Sequence, residues 1–263
     1  MIRAAVVATV AALALATQPA LAASTAVSTN WSGYAVSGTT YKSLSGTWVQ
    51  PTANCTSTSA ATSSSAFWIG LGGNSTTSNA LEQTGTEVDC LANGTVRYSA
   101  WYELLPAGSV KVALKIHAGD RISASVKVNG TAVTVSLKNA TTGKSFTKTL
   151  RMAAPDISSA EWIAEAPSTL TPGGTAVLPL TDFGTVSFKS AKATSTAGHI
   201  GTISDSAWTA TKIKLESESS NRGPGGPYGP YTADATTGAT ATPSNLTKDG
   251  SAFAVTWNQA PAL

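Results

Sequence analysis

The chain has 263 residues, of which only 12% are charged, and its formal net charge is +3. So mild an excess of positive charge gives no argument for a nucleic-acid ligand. The length fits one large all-β domain or two ordinary domains, and the many Ser, Thr, Gly and Val residues are typical of strands and turns in a secreted protein.

The N-terminal segment 1–22 has the features of a secretory signal peptide. Arg3 precedes a short apolar run that ends at the small-residue cleavage pattern A-L-A at 20–22. A retained N-terminal anchor is the alternative, but the run is short for a membrane-spanning helix, and no later stretch is long and apolar enough. We therefore expect a secreted protein in which 23–263 forms a single domain with no membrane association.

Period-two alternation of apolar and polar residues dominates the rest of the chain, and no segment shows a sustained helical period. The alternation predicts short strands at 46–50, 67–71, 96–104, 161–164, 186–190 and 253–257. Many short strands separated by turn residues are typical of a β-sandwich. The proline-rich segment 221–232 cannot be a central strand, because proline donates no ladder hydrogen bond, and we interpret it as a surface loop.

Cys55 and Cys90 are the two cysteines of the sequence. In an oxidising compartment such a pair most often forms a structural disulfide, and we predict one here. A zinc site is disfavoured, because only His117 and His199 could join the cysteines and their spacing does not resemble a ligand set. We expect no metal.

The clearest alternation covers residues 109–150. Apolar residues alternate through 110–116, resume at Ile122, and continue beyond Asn129-Gly130, a dipeptide that strongly favours a two-residue hairpin turn. We predict an antiparallel meander over this range, with one buried and one solvated face.

Several familiar catalytic motifs are missing from the sequence. Neither histidine lies in a nucleophile-elbow context, and neither G-x-S-x-G nor the D-T/S-G motif of pepsin-like proteases occurs. Glutamates beside aromatic residues remain: Glu103 in AWYELLP, and Glu161 and Glu165 in AEWIAE. A carboxyl group against tryptophan in a cleft can have a shifted pKa, although a solvated strand face is the simpler interpretation. Because side chains alternate along a strand, Glu161 and Glu165 should share one face and Trp162 should point to the other.

Six short motifs follow one another along the chain: NWSGYAV at 30–36, GTWVQP at 46–51, FWIGLGG at 67–73, LEQTG at 81–85, AWYELLP at 100–106 and AEWIAE at 160–165. Each is weak alone, but in this order they resemble the glutamic peptidases, or eqolisins. The resemblance implies a jelly-roll or lectin-like β-sandwich of two large antiparallel sheets. It also implies a secreted endopeptidase that acts on polypeptides at acidic pH without a cofactor, and we expect a monomer.

The resemblance implies a catalytic dyad of one glutamine and one glutamate. The family motifs match Gln83 and Glu161, and not Glu165. Glu161 would act as general base on the attacking water, and the Gln83 amide would stabilise the oxyanion. Glu103 matches a supporting residue near the active site, and Trp68 matches a wall of the substrate groove.

Two features depart from the family pattern. Gly72 stands where the family usually has an aspartate, so an acidic group near the site is missing. The sequence pI near 8.8 also differs from the acidic proteins that are typical of the family. A relative that has lost its activity is therefore one alternative.

Two other classes of function stay open. A glycoside hydrolase on a similar sandwich would use Glu103 and Glu161 as its carboxylate pair, with Trp68 and Trp101 stacking on sugar rings. A carbohydrate-binding module would need exposed planar aromatics and would give no role to Gln83 or Glu161. Separate substitution of Gln83 and Glu103 distinguishes a peptidase from a glycoside hydrolase.

Overall fold

The computed structural model describes residues 23–56, 62–75, 78, 80–171, 174–216 and 239–259. Within these ranges there are eighteen strands and no helix. The strands are β1 (Ser24–Ser28), β2 (Trp31–Ser37), β3 (Tyr41–Val49), β4 (Ser63–Gly72), β5 (Leu81–Cys90), β6 (Val96–Leu105), β7 (Val110–Val112), β8 (Arg121–Asn129), β9 (Ala132–Asn139), β10 (Lys144–Arg151), β11 (Ala160–Glu165), β12 (Ser168–Thr171), β13 (Gly174–Val177), β14 (Thr185–Ser195), β15 (Ile200–Gly201), β16 (Thr209–Leu215), β17 (Ala239–Pro243) and β18 (Phe253–Gln259). The predicted signal peptide and the loop predicted at 221–232 lie outside the described residues.

Sixteen of these strands form one continuous hydrogen-bonded sheet. Its order is β10-β9-β8-β3-β14-β18-β17-β16-β2-β11-β4-β5-β6-β7, with β1 beside β16 and β15 beside β14. Strands β12 and β13 pair separately with each other. Neighbouring strands along this path are antiparallel, whereas β1 runs parallel to β16.

Strand β14 belongs to both layers of the sandwich. Its first part, through Phe188, pairs with β18, and its second part, from Lys189, pairs with β3. The register shifts between Lys189 and Lys192, where Ser190 has a left-handed backbone with φ of 53°. An irregularity of this kind bends a strand, so the layer β10-β9-β8-β3 lies over the layer that runs from β18 to β7.

Two tryptophans cross the core between the layers. Trp162 of β11 is fully buried, and its Nε1 donates to the carbonyl of Ser45 in β3 at 2.9 Å. Trp48 of β3 donates its Nε1 to the Oγ1 of Thr86 in β5 at 2.9 Å. The prediction that Trp162 points away from the face of Glu161 is therefore confirmed, because its indole lies inside the sandwich.

Each strand predicted by alternation largely coincides with an observed strand, and the meander is confirmed over β8, β9 and β10. The turn between β8 and β9 consists of Gly130 and Thr131. The start of the meander was predicted wrongly: β7 ends at Val112 and pairs with β6, in the other layer. Leu114 and Ile116 continue the alternation because both are buried in the core, yet they lie outside any strand.

The segment between β7 and β8 is held by side chains instead of a strand ladder. The Asp120 carboxylate accepts the backbone amide of His117 at 2.8 Å and the side-chain amide of Asn139 at 2.7 Å. Asn139 also donates to the carbonyl of Lys115 at 3.1 Å. These polar contacts replace the strand hydrogen bonds of the predicted meander and let the chain cross from one layer to the other.

The predicted disulfide between Cys55 and Cys90 is present. Cys90 is the last residue of β5, and Cys55 precedes β4, so the bond connects the start of one hairpin arm to the end of the next. It therefore closes a loop around the β4–β5 hairpin, which carries part of the site described below.

Removal of this disulfide should destabilise the protein without changing its fold. The bond joins residues 35 positions apart, and closing such a loop restricts the unfolded chain by about 2–4 kcal/mol. We expect the Cys55→Ser/Cys90→Ser variant to lose that much free energy of unfolding in guanidinium titrations. The reduced wild-type protein is the control, and equal stability of oxidised and reduced protein would contradict the prediction.

Candidate active site

In the layer that runs from β18 to β7, four residues of neighbouring strands lie in one row. Gly70 of β4 pairs with Glu161 of β11 on one side and with Gln83 of β5 on the other, and Gln83 pairs with Glu103 of β6. Directly paired residues point to the same face of a sheet. Because neighbouring strands are about 4.8 Å apart, the backbones of Glu161 and Gln83 are about 10 Å apart.

The row lies on the face that points away from the sandwich core, which we call the outer face. A separate apolar cluster covers this face, formed by Trp31, Ala35, Ala66, Trp68, Leu81, Trp101, Ile163 and Ile213. The predicted site residues are thus placed among apolar side chains and not on a solvated strand face.

Gly70 leaves a gap between the two members of the predicted dyad. A Cβ atom at this position would lie 3.0 Å from Leu81 Cδ1, 3.0 Å from Trp68 Cζ3 and 3.1 Å from Gln83 Cβ. Such contacts are tighter than ordinary van der Waals packing, so a side chain here would have to displace its neighbours. Glycine at this position therefore lets Leu81 and Trp68 pack over the strand between Glu161 and Gln83.

The Gln83 amide is oriented by Glu103. Gln83 is only 4% exposed, and its Nε2 donates to Glu103 Oε2 at 2.7 Å. Its Oε1 has no hydrogen-bond partner among the described residues. Burial raises the pKa of Glu103, although the hydrogen bond from Gln83 counteracts part of that rise. One N–H of the amide is thereby fixed, and the other stays available for a ligand.

Glu161 is completely buried, and among the described residues neither of its carboxyl oxygens has a partner in hydrogen-bonding geometry. Loss of solvation raises its pKa well above the ordinary range. The nearby Ser159 hydroxyl favours the charged form, whereas the negative charges of Asp156 and Glu82 oppose it. A buried carboxyl group without a fixed partner is suited to taking up and releasing a proton.

The Glu165 carboxyl group is hydrogen-bonded to Trp68, the residue that the family resemblance assigns to the wall of the substrate groove. Trp68 Nε1 donates to Glu165 Oε2 at 2.6 Å, and Asn30 Nδ2 donates to the other oxygen at 3.1 Å. Burial and the charge of Glu103 raise the pKa of Glu165 to about 8. Trp68 is itself buried and packs edge-on against Trp31, with ring centroids 5.0 Å apart. The sequence assigned no role to Glu165, and the structure shows that it orients Trp68.

A cleft of about 1080 Å³ opens at the sheet edge beside the row. β2 and β4 end at this edge and β5 and β11 begin there, so Glu161 and Gln83 lie one and two residues inward from it. The cleft is lined by Ser37 at the end of β2, by Ala80 just before β5, and by most of the segment 152–159. Glu161 and Gln83 lie beside the cleft and are not part of its lining.

The surroundings of Gly72 leave no room for the aspartate that the family usually has at this position. Gly72 has φ of +81°, and a Cβ there would lie 2.5 Å from Cβ and 2.8 Å from Cγ of Asp156. The side chain of Asp156 therefore occupies the space that a residue at position 72 would need. Sequence reasoning missed Asp156, because nothing in the local pattern MAAPDISS indicates that this segment reaches β4.

Other chemistries receive no support from the described part of the chain. It contains no group of three or more His, Cys, Asp and Glu side chains that could hold a metal ion, and no helix of the length and hydrophobicity needed to cross a membrane.

The sequence of this chain is similar to those of known peptidases. A sequence model of the Peptidase A4 family matches residues 29–222. Aspergillopepsin-2 of Aspergillus niger is 28% identical over 195 residues, which are 66% of this chain and 67% of that protein. Scytalidopepsin B of Scytalidium lignicola is 35% identical over 124 residues, 46% of this chain and 44% of that protein.

Solved structures show the same fold. A scytalido-glutamic peptidase with a transition state analog inhibitor superposes with a TM-score of 0.66 at 23% identity, covering 88% of this chain and 98% of that one. The aspergilloglutamic peptidase from Aspergillus niger has a TM-score of 0.57 at 26% identity, covering 74% of this chain and 99% of that one. These likenesses confirm the predicted antiparallel β-sandwich fold, whose two layers are here parts of one continuous sheet.

The buried carboxyl groups predict a protein that is most stable in mildly acidic solution. Burial raises the pKa of Glu82 and of Glu165 to about 8, from 4.5 for an ordinary glutamate. Between these values the folded protein binds more protons than the unfolded chain, so its stability falls as the pH rises. We expect the Tm to be highest near pH 4.5 and to fall towards pH 8.

The matched variants Glu82→Gln and Glu165→Gln keep the size and neutrality of the protonated side chains. Each should flatten the decline of the Tm in a series of thermal melts between pH 4.5 and 8. A wild-type Tm that is constant or increases across this range would show that these groups are not held protonated in the fold.

Proposed function

The chain belongs to the Peptidase A4 family, the glutamic peptidases, and we propose that it hydrolyses polypeptides with Gln83 and Glu161 as its catalytic dyad. The observation that carries this proposal is the row in which Gly70 separates the two side chains on one face of the sheet. A buried carboxyl group and a buried amide thus flank one position of the sheet.

Glu161 is the general base of the proposed reaction. Its ionised carboxylate accepts a proton from a water molecule as the water oxygen attacks the scissile carbonyl carbon. The tetrahedral intermediate collapses when the C–N bond breaks, and Glu161 returns the proton to the departing amine. Both oxygens of Glu161 lack fixed hydrogen bonds from the described residues, so they are available for the water and for this transfer.

Gln83 stabilises the oxyanion that forms on the carbonyl oxygen. Its amide donates at any pH, whereas a glutamate in the same place would donate only when protonated. Glu103 accepts one of the two N–H groups at 2.7 Å and so sets the direction of the other. The surrounding apolar cluster makes this hydrogen bond stronger than it would be in water.

The pH range of activity follows from two opposing effects. Glu161 acts as a base only when ionised, and burial raises its pKa above the ordinary 4.5, so the rate should rise with pH above that value. At higher pH, ionisation of Glu82 and Glu165 weakens the fold. We therefore propose a mildly acidic optimum, with its rising limb at higher pH than an ordinary glutamate would give.

Secretion is the proposed location. The segment 1–22 is predicted to be a signal peptide, and the disulfide between Cys55 and Cys90 fits an oxidising compartment. We propose a secreted monomer that uses no cofactor and acts on polypeptides.

The row argues against the glycoside hydrolase alternative. Glu161 and Glu103 are separated by two intervening strands, so their backbones are about 14 Å apart. Glu103, the second carboxyl group that this alternative needs, is already hydrogen-bonded to Gln83. The carbohydrate-binding alternative is disfavoured too, because Trp68 and Trp101 are buried and not exposed platforms.

Substitution of either dyad residue should abolish most of the activity and leave the fold intact. We expect Glu161→Gln to lower kcat at least about a hundredfold, because the base is lost, and Gln83→Ala to lower it about a hundredfold to a thousandfold. The measurement is digestion of a denatured protein between pH 2 and 8 in the presence of pepstatin. Asp249→Asn, a charge-removing change at an exposed turn, is the matched control and should keep wild-type activity.

Two results would contradict the proposal. Near-normal turnover by either dyad variant, with a melting profile like that of the wild type, would remove that residue from the mechanism. Hydrolysis of a polysaccharide that survives Gln83→Ala and disappears in Glu103→Ala would instead assign the site to a glycoside hydrolase.

A further inference from the structure

The segment 152–159 connects β10 in one layer to β11 in the other and forms a wall of the cleft. It has no strand ladder of its own over 152–159. Its position next to Glu161 must therefore be set by side-chain contacts and loop hydrogen bonds. Asp156 makes most of the contacts described below, and none of the roles considered above uses it.

The Asp156 carboxylate binds groups from two segments. It accepts the backbone amide of Gly73 at 3.2 Å and is hydrogen-bonded to the Ser78 hydroxyl, both of which follow β4. Within its own segment it accepts the amide of Ser158 at 2.9 Å. Two of the three donors to this carboxylate, Gly73 and Ser78, connect the cleft wall to residues that follow β4.

Two further contacts anchor the same segment. The backbone amide of Asp156 donates to Glu82 Oε1 at 3.1 Å, and the amide of Gly72 donates to the carbonyl of Ser159 at 3.1 Å. Gly72 allows this close approach, because any Cβ there would overlap Asp156. The carboxylate is therefore seated in a space that only glycine leaves free.

We propose that Asp156 is a positioning residue of the active site, which latches the segment 152–159 onto Gly72, Gly73 and Ser78 and holds a carboxylate beside Glu161. This inference rests on the proposed function for its kinetic consequences, whereas the latch itself is a structural claim. In this proposal Asp156 takes no part in making or breaking bonds. It acts by fixing the cleft wall and by placing negative charge next to the general base.

The charge of Asp156 has a defined effect on Glu161. Burial raises the pKa of Asp156, but the hydrogen bonds from Ser78, Ser158 and Gly73 together lower it below its usual value, so the group stays ionised. The titratable groups that act on Glu161 or are affected by it are Asp156 from the segment 152–159, Glu82 from β5 and Tyr41 from β3. Glu103 lies further along the row, and Glu165 lies on the same face of β11.

Two variants distinguish the effect of the Asp156 hydrogen bonds from the effect of its negative charge. Asp156→Ala removes all three acceptor contacts, so the cleft wall is released, and we expect KM for a peptide substrate to rise about tenfold. Asp156→Asn removes the charge and keeps one oxygen, which can accept the amide of Ser158, while its NH2 group replaces the oxygen that accepts from Gly73 and can still donate to the Ser78 hydroxyl. We expect it to keep KM near the wild-type value and to move the rising limb of the kcat–pH profile to lower pH, because Glu161 then ionises more easily.

Hydrogen exchange tests the latch independently of catalysis. The amides of Gly73 and Ser158 should exchange at least about tenfold faster in Asp156→Ala than in the wild type, and in Asp156→Asn the amide of Ser158 should exchange nearly as in the wild type. The matched control is Asp249→Ala, because Asp249 makes similar contacts to Thr247 and Ser251 in an exposed turn. This control should alter neither KM, the pH profile, nor the exchange of Gly73 and Ser158.

The outcomes distinguish the two proposals. Unchanged exchange of Gly73 and Ser158 in Asp156→Ala overturns the latch, whether or not the protein is a peptidase. If Asp156→Ala does not fold, a kcat–pH profile of Asp156→Asn that coincides with the wild type overturns the positioning role. If the wild type cleaves no polypeptide, the proposed function fails, and faster exchange in Asp156→Ala still establishes the latch.

Discussion

The site depends on one constraint, the hydrogen-bond register that aligns Glu161, Gly70 and Gln83 across three strands. A shift of one residue in β11 or β5 would turn the carboxyl or the amide into the sandwich core, because side chains alternate between faces. The register is protected by the core itself, where Trp162 and Thr86 take part in hydrogen bonds to the opposite layer. Packing on the inner face thus determines the chemistry that is available on the outer face.

The outer face combines an apolar environment with an unusual number of carboxyl groups. Glu103, Glu161 and Glu165 all have raised pKa values because burial disfavours their charged forms. The same low polarity strengthens each hydrogen bond that the site makes to a developing charge. In an acidic medium the buried carboxyl groups are protonated and do not destabilise the fold. The amide of Gln83 still donates a hydrogen bond under the same conditions. The basic sequence pI of 8.8 has no bearing on this local balance.

Alternation along the sequence predicted the strands well, because it reports which side chains are buried. For the same reason it failed at 113–120, where Leu114 and Ile116 are buried without strand pairing. Gln83 and Glu161 lie on either side of Gly70 because of the register between distant segments. Only the resemblance to a family suggested that the two residues belong to one site. The roles of Asp156 and Glu165 were invisible in the sequence, because each depends on partners far away along the chain.

The passage of β14 through both layers has a mechanical consequence. A sandwich of two independent sheets could separate by sliding one layer over the other, at the cost of side-chain packing alone. Here the bend at Ser190 joins the layers through backbone hydrogen bonds, from Thr185–Phe188 to β18 and from Lys189 onward to β3. The layers cannot part unless one of these ladders breaks, so the sandwich that carries the site resists shear as a single elastic body.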